Sequence, residues 1–177
     1  MWPPRSPGVV VSGTRNTFRV GLGVDVHAFA APEAGRRLIL GGVNIPSERG
    51  LAGHSDADVL SHAITDALLG AAGMEDIGHY FPDTDEKWKD ADSIELLREV
   101  RKLVGNSWRV SNVDAVVICE RPKIRDHRDE MRTNLAAALG VEIPDVSVRG
   151  TTSERLGFTG RGEGVAAEAV CLLERSG

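Results

Sequence analysis

The apolar residues of this chain recur with two different periods, and each period predicts one kind of element. Residues 18–26 alternate between larger apolar side chains and small or polar ones, which is typical of a β-strand. The short apolar runs 38–40 and 43–45 flank Gly41 and Gly42, which predicts a tight hairpin. Further strands are predicted over residues 110–119, 146–149 and 165–173.

Three segments have apolar residues spaced three and four apart, as amphipathic helices require. They cover about residues 58–73, 92–105 and 126–139, with capping residues or glycines near their ends. Residues 77–90 lack such a period and are expected to form an unusually long loop. The side chains expected to pack the second and third helices are Leu96, Val100 and Leu103, and Met131, Leu135, Ala138 and Leu139.

The order of these elements predicts an α/β (α+β) fold, a two-layer sandwich with one mixed β-sheet and helices on one face. The run 115–119 contains no polar residue and indicates a strand buried on both faces. Because the predicted helices cover only one face of the sheet, we expect subunits to associate through the other.

Composition limits the class of protein and its partners. Of 177 residues, 41% are hydrophobic and 27% charged, which is typical of a soluble globular protein with one domain, here residues 18–177. Residues 1–17 are rich in Pro, Ser, Gly and Arg and are interpreted as a disordered extension rather than a plastid leader. The net charge of −5 argues against a nucleic-acid partner, and no apolar run has the roughly 20 residues that a membrane helix needs. Cys119 and Cys171 lie in apolar runs without a disulfide framework, which favours a reducing bacterial cytoplasm.

The first predicted helix carries a polar face. Asp58, His62 and Asp66 are four residues apart and therefore line one side of it. An imidazole between two carboxylates suits a metal ligand that neighbouring oxygens hold in place. Taken alone, the polar face favours a competing interpretation. In that interpretation the face is solvated and the helix begins with a capping box of Ser55 and Asp58.

A second feature is the pair Asp25 and His27 in the first strand. Side chains at positions i and i+2 of a strand point to the same side, so these two groups converge. Together with His62 they make two imidazoles and one carboxylate, which leave a fourth position open as in a catalytic zinc site. The competing interpretation is an edge-strand pair that faces solvent, and the sequence leaves open whether the strand and the helix meet.

Residues 151–164 combine hydroxyls, glycines, a carboxylate and two arginines between two strands. Glycines expose backbone N–H groups to a ligand, and Arg155 and Arg161 suit phosphate oxygens. Glu154 suits Mg²⁺, which prefers one or two carboxylates together with substrate phosphates. An ordinary polar turn is the competing interpretation.

Two further segments suit a nucleotide-like ligand. Segment 119–125 follows a strand end, its backbone before Pro122 suits a flat base edge, and its basic side chains suit phosphate. In segment 76–83, Asp76 suits sugar hydroxyls and Asp83 a polyol. The alternatives are an exposed basic turn and solvated acids.

Together these segments resemble the 2-C-methyl-D-erythritol 2,4-cyclodiphosphate synthase family of the non-mevalonate isoprenoid pathway. The likeness runs in order over about residues 18–173. The segments that carry it are Gly23-x-Asp25-Val26-His27, His54-Ser55-Asp56-x-Asp58-Val59-x-x-His62, Asp76-Ile77-Gly78, Phe81-Pro82-Asp83-Thr84-Asp85 and residues 151–164.

The resemblance implies a homotrimer with active sites between adjacent subunits. It implies one Zn²⁺ per subunit on Asp25, His27 and His62, and a second divalent cation, Mg²⁺ or Mn²⁺, held by Glu154 and a diphosphate. The implied reaction converts 4-diphosphocytidyl-2-C-methyl-D-erythritol 2-phosphate to 2-C-methyl-D-erythritol 2,4-cyclodiphosphate and CMP. A metal-dependent phosphoesterase and a non-catalytic trimeric binding protein are the competing interpretations.

The same resemblance implies roles for single residues. His54 and Thr152 are expected to stabilise the transition state, and Ser55 to contact phosphate. Arg125 and Ser153 stand where family members often carry an apolar residue and a threonine. The other expected substrate contacts are Asp76 at the cytidine ribose with Ile77 and Gly78; Phe81, Pro82, Asp83, Thr84 and Asp85 at the erythritol; Cys119, Glu120, Arg121, Pro122, Lys123, Ile124 and Arg125 at the cytosine; and Thr151, Ser153, Phe158 and Arg161 in the glycine-rich loop, with Arg161 towards the trimer axis.

Overall fold

The structure is a computed structural model that describes residues 17–176. The extension expected to be disordered therefore lies outside the described residues, except for Thr17. The central sheet is mixed, as predicted. Its four strands are β1 (Phe18–Ala28), β4 (Trp108–Ile118), β5 (Val146–Thr151) and β6 (Gly164–Arg175), in the order β1-β6-β4-β5. Strand β6 is antiparallel to both neighbours, whereas β4 and β5 are parallel.

The predicted hairpin forms, but it stays outside this sheet. Strands β2 (Leu38–Leu40) and β3 (Val43–Ile45) pair only with each other. The turn between them is tied to the following helix, because Asp58 accepts hydrogen bonds from the N–H groups of Gly41 and Gly42 at 2.9 and 2.8 Å. The hairpin thus closes one end of the helical layer.

Three helices form the layer on one face of the sheet, and two short ones lie in loops. The long helices are α1 (Val59–Ala72), α3 (Ser93–Val104) and α4 (Arg128–Leu139); the short ones are α2 (Ile77–Tyr80) and α5 (Gly157–Gly160). The segment 77–90, predicted to be an irregular loop, contains α2 and a 3₁₀ turn at Glu86–Trp88. Both turns form because Asp76 and Asp85 cap them, accepting from the N–H groups of His79 and Lys87.

The entry to α1 differs from the predicted capping box. Asp58 itself is the N-cap, and its carboxylate accepts from the backbone N–H groups of Leu60 and Ser61. Ser55 instead holds the N–H of Ala57 at 3.1 Å, in the turn before the helix. Asp58 is fully buried, so the solvated-face interpretation is wrong at this end of the helix.

The helix packing was predicted well except at one residue. In α3, Leu97 and Val104 are buried with Leu96 and Val100, whereas Leu103 is 42% exposed, so its predicted core position is wrong. All four residues predicted to pack α4 are buried. Cys119 and Cys171 are buried and free, as expected.

The outer face of the sheet is apolar and exposed. Strand β4 is not buried on both faces as predicted: Ala115 and Val117 are buried, while Val116 and Ile118 are half-buried. The outer stripe, as we call the exposed apolar residues of β1 and β6, consists of Phe18, Val20, Leu22, Val24, Val26 and Val170, which are 43–68% exposed. Between residues 17 and 176, no helix is both long and apolar enough to cross a bilayer.

Candidate functional site

Strand β1 and helix α1 bring three metal-binding side chains together. Asp25 and His27 project from β1 towards the helical layer, and His62 projects from α1 to meet them. One carboxylate oxygen of Asp25 lies 3.0 Å from His27 Nε2 and 3.0 Å from His62 Nδ1. The two ring nitrogens are 3.2 Å apart, and one ligand atom from each residue lies within 4.8 Å of the others. These three side chains, the metal cluster, can hold a metal ion.

Hydrogen bonds outside the metal cluster fix which nitrogen of each imidazole is free. His27 Nδ1 lies 2.7 Å from the carbonyl oxygen of Ala52, which can only accept, so Nδ1 carries the proton and Nε2 keeps a lone pair. His62 Nε2 lies 2.9 Å from Ser93 Oγ. Because the Ser93 hydroxyl donates to the carboxylate of Asp56, it accepts from His62 and leaves His62 Nδ1 free. In the neutral imidazoles both lone pairs therefore face Asp25, where a metal ion would bind; without a metal, a proton on either nitrogen is donated to the Asp25 carboxylate instead.

The pKa values of the metal cluster reflect this arrangement. Burial alone would raise the pKa of Asp25, but hydrogen bonds and charge interactions with the two imidazoles outweigh it, and the pKa falls well below its usual value. Burial lowers the pKa of His27, but its hydrogen bond to Asp25 outweighs that effect, and the pKa is raised. One half-buried carboxylate and two inward-facing imidazole lone pairs are a donor set that fits zinc.

The metal cluster lines a cavity of about 330 Å³ that we call the metal cavity. Here the structure brings together several predicted residues from distant parts of the chain. Those residues are His54, Ser55, Ile77, Gly78, Phe81 and Asp83. Trp88 also lines the metal cavity, with its ring edge-on to Phe81 at 4.8 Å, and nothing in the sequence pattern had indicated it.

Some predicted residues around the metal cavity have structural partners. The carboxylates of Asp76 and Asp85 are the helix caps described above. The carbonyl oxygen of Asp85 lies 3.2 Å from His54 Nε2, which orients that imidazole. Asp66 accepts from the N–H of Ile77 at 2.8 Å and so fixes segment 76–78 against α1. Pro82 and Thr84, which were also predicted to contact the substrate, do not line the metal cavity.

A second cavity of about 620 Å³, the base cavity, lies beside segment 119–125. Predicted residues that line it are Cys119, Pro122, Lys123, Ile124, Arg125, Thr151 and Thr152. Gly150, which the sequence analysis missed, also lines it, and a Cβ atom there would lie 2.9 Å from Ile124. The metal cavity and the base cavity share no lining residue, so His54 and Thr152 lie in different cavities of one chain.

Other predicted residues lie away from the base cavity. Glu120, Arg121 and Arg161 line a separate groove of about 580 Å³, which Pro122 and Lys123 also border. The guanidinium of Arg161 is paired with the carboxylate of Glu163 at 2.7 and 3.0 Å. Phe158 is 38% exposed.

The glycine-rich loop has an unusual backbone. Glu154 and Arg155 adopt left-handed φ values of 54° and 65°, which are uncommon for residues other than glycine. The Thr152 hydroxyl donates to the Glu154 carboxylate. Ser153 donates to Glu120 through its N–H at 3.2 Å, and its hydroxyl accepts from Thr159 at 2.8 Å.

Two curated proteins that are similar to most of this chain carry the same name. A curated 2-C-methyl-D-erythritol 2,4-cyclodiphosphate synthase from Rubrobacter xylanophilus is 79% identical over 159 residues, covering 90% of this chain and 96% of that protein. The enzyme of the same name from Chlorobaculum tepidum is 57% identical, covering 90% of this chain and 100% of that protein.

Two solved structures are also similar to this chain over at least 90% of its length. The bifunctional IspDF from Campylobacter jejuni matches 90% of this chain with a TM-score of 0.85 and 42% identity, and this chain spans 42% of that longer protein. IspF from Plasmodium falciparum, solved as a CDP complex, matches 93% of this chain and 100% of its own with a TM-score of 0.79 and 33% identity. The model of the YgbB family matches residues 18–174. Together with the names of the relatives above, this match confirms the resemblance inferred from the sequence. This chain belongs to the YgbB family.

Proposed function

We propose that this chain converts 4-diphosphocytidyl-2-C-methyl-D-erythritol 2-phosphate to 2-C-methyl-D-erythritol 2,4-cyclodiphosphate and CMP. The observation that carries the proposal is the metal cluster of Asp25, His27 and His62 in a cavity with His54 and Ser55. The names of relatives at 57–79% identity support the cyclic diphosphate as the product.

The reaction needs no nucleophile from the protein. An oxygen of the substrate 2-phosphate attacks the β-phosphorus and forms a new P–O bond, while the bond to the bridging oxygen breaks and CMP leaves with its electron pair. What the protein must supply is alignment and neutralisation of negative charge. His54, oriented by the carbonyl of Asp85, and the Thr152 hydroxyl are the side chains proposed to contact the reacting phosphates.

Two cations are proposed to complete the site. Zn²⁺ held by Asp25, His27 and His62 would act as a Lewis acid and neutralise negative charge on the diphosphate. Glu154 would hold the second cation, Mg²⁺ or Mn²⁺, with help from substrate phosphate oxygens.

The remaining contacts divide between the two cavities. Segment 76–85 would border the ribose and erythritol around the metal cavity, and segment 119–125 would hold the cytosine at the base cavity, with Thr151 and Ser153 as further substrate contacts from the glycine-rich loop. Bound CDP in the Plasmodium falciparum relative supports a cytidine nucleotide ligand.

We further propose that the protein is a homotrimer with active sites between subunits. The metal cavity and the base cavity share no lining residue, so one substrate that needs both is best held where two copies meet. The outer stripe supplies an apolar surface for such a contact, with Leu22 and Val20 63% and 68% exposed.

Phosphorus NMR of the products tests this function. With zinc and Mg²⁺ present, we expect the cyclic diphosphate and CMP in equal amounts, and EDTA should abolish both. His62→Ala should lose zinc and most activity yet keep its circular dichroism spectrum, whereas His127→Ala, which lines neither cavity, should keep its zinc and its activity. A linear product or inorganic phosphate would indicate a phosphoesterase, and no turnover by the metal-loaded protein would indicate a binding protein; either would refute the proposal.

A further inference from the structure

We infer that Glu120 is a positioning residue for the second-cation ligand Glu154. This inference rests on the proposed function. Glu120 follows β4 directly after Cys119, which lines the base cavity, but its side chain points away to the glycine-rich loop. One carboxylate oxygen of Glu120 lies 3.2 Å from the N–H of Ser153 and 3.1 Å from the N–H of Arg155.

The two N–H groups flank Glu154 on both sides. Successive backbone N–H groups that converge on one point form an anion-binding concavity, and here a carboxylate of the chain occupies it. Hydrogen bonds to a charged acceptor are roughly twice as strong as neutral ones. Because left-handed φ values at Glu154 and Arg155 are unfavourable for side chains with a Cβ, they persist only where surrounding contacts impose them. Glu120 supplies those contacts.

This arrangement determines which groups of the loop remain for a ligand. The N–H groups of Ser153 and Arg155 are engaged by Glu120 and are not available to a substrate phosphate. The Glu154 carboxylate, in contrast, projects beside the Thr152 hydroxyl that donates to it. The loop therefore acts on the diphosphate through the side chains of Thr152 and Glu154, and Glu120 sets their direction.

The position of Glu120 also joins two parts of the site. Segment 119–125 forms a wall of the base cavity, and Thr151 and Thr152 form the facing wall. The carboxylate of Glu120 joins the first wall to the chain that follows the second, because it accepts from Ser153 and Arg155, 33 and 35 residues further along the sequence. Two hydrogen bonds thus tie the base-binding segment to the residues on either side of the cation ligand.

To test this role, Mn²⁺ binding to the zinc-loaded protein is measured by EPR in the presence of CDP. Glu120→Ala should weaken Mn²⁺ binding roughly 10–100-fold, as loss of groups that orient a ligand does elsewhere. It should raise the Mg²⁺ concentration for half-maximal turnover by a similar factor and leave the zinc content unchanged. Glu120→Gln keeps an acceptor oxygen and should lie within about threefold of the wild type. Glu99→Ala, an exposed glutamate paired with Lys102 on α3, is the matched control and should behave as wild type.

Amide hydrogen exchange of the wild-type protein keeps the inference testable if Glu120→Ala does not fold. The N–H groups of Ser153 and Arg155 should be protected, and in Glu120→Gln they should remain so. Unprotected amides, unchanged Mn²⁺ binding in Glu120→Ala, or a Glu120→Gln variant as defective as Glu120→Ala would overturn the role of Glu120. Protected amides in a wild-type protein without cyclase activity would refute the proposed function and leave the loop geometry intact.

Discussion

At the scale of single residues, the metal cluster depends on groups that do not belong to it. A chain of hydrogen bonds runs from the Asp56 carboxylate through the Ser93 hydroxyl to His62 Nε2, and it fixes the tautomer of His62. Asp56 also accepts from the backbone N–H of Ser93 at 3.2 Å, which holds that hydroxyl in place. Such outer hydrogen bonds orient metal-binding imidazoles and raise their basicity.

Replacing Ser93 should therefore weaken zinc binding without removing a ligand. For Ser93→Ala we expect the zinc dissociation constant, measured by competition with a chelator, to rise roughly 10–100-fold. Ser61→Ala is the matched control, because Ser61 is equally buried but donates to Asp58 at 2.7 Å instead of contacting His62. Equal zinc affinities in the two variants would show that Ser93 does not orient His62.

The sequence predicted some of these residues and not others, for physical reasons. Asp25 and His27 were predicted because strand periodicity puts positions i and i+2 on one side. The role of Ser93 could not be predicted, because its contact with His62 spans 31 residues of sequence. Glu120 was assigned to the base by resemblance, since no local pattern indicates that its carboxylate engages a loop more than 30 residues away.

At the scale of elements, two glycines determine how closely α1 approaches β1. A Cβ atom at Gly21 or Gly23 would lie 1.9 Å from the carbonyl oxygen of Ala67 or Ala63, respectively. The helix therefore rests directly on the strand backbone, and His62 reaches Asp25 as a result. Glycine in a strand often marks such a close approach of another backbone.

Gly23→Ala should consequently disturb both stability and the metal cluster. Because the obstructing atoms are backbone, we expect a loss of about 1–3 kcal/mol or more in the free energy of unfolding, together with weaker zinc binding. Denaturant unfolding and zinc content measure the two effects. Gly70→Ala, on the facing helix α1, is the control: its Cβ would lie 3.8 Å from its nearest neighbour, so it should keep zinc and gain about 0.5–1 kcal/mol. Equal stability of both variants would contradict the close packing of α1 on β1.

Most elements could be predicted from periodicity and capping residues, and the exceptions have identifiable causes. The turns at Ile77–Tyr80 and Glu86–Trp88 were missed because short helices capped by aspartates have no apolar period. Strand β4 was predicted to be buried on both faces because its outer residues are apolar, yet Val116 and Ile118 are half-buried in the single chain. An apolar residue on an outer face looks the same in sequence whether a helix or another subunit covers it.

At the scale of the whole molecule, the residues proposed to act on one substrate are divided. His54 and the metal cluster line the metal cavity, whereas Thr152 lines the base cavity. Neither cavity has the full set of groups that the proposed cyclisation requires. The outer stripe is the exposed apolar surface through which the proposed homotrimer would combine the two cavities.

Mixed oligomers of two inactive variants test this division most directly. His62→Ala removes a group from the metal cavity and Thr152→Ala one from the base cavity. If the protein is the homotrimer proposed above, the two chains, co-expressed with different tags and purified through both, will form trimers of composition two plus one. In either composition, one interface of the three joins an intact metal cavity to an intact base cavity. We therefore predict about one third of the wild-type rate of cyclic diphosphate formation in the mixed trimers, although each parent variant alone is nearly inactive. Mixed oligomers no more active than their parents would contradict an active site shared between subunits.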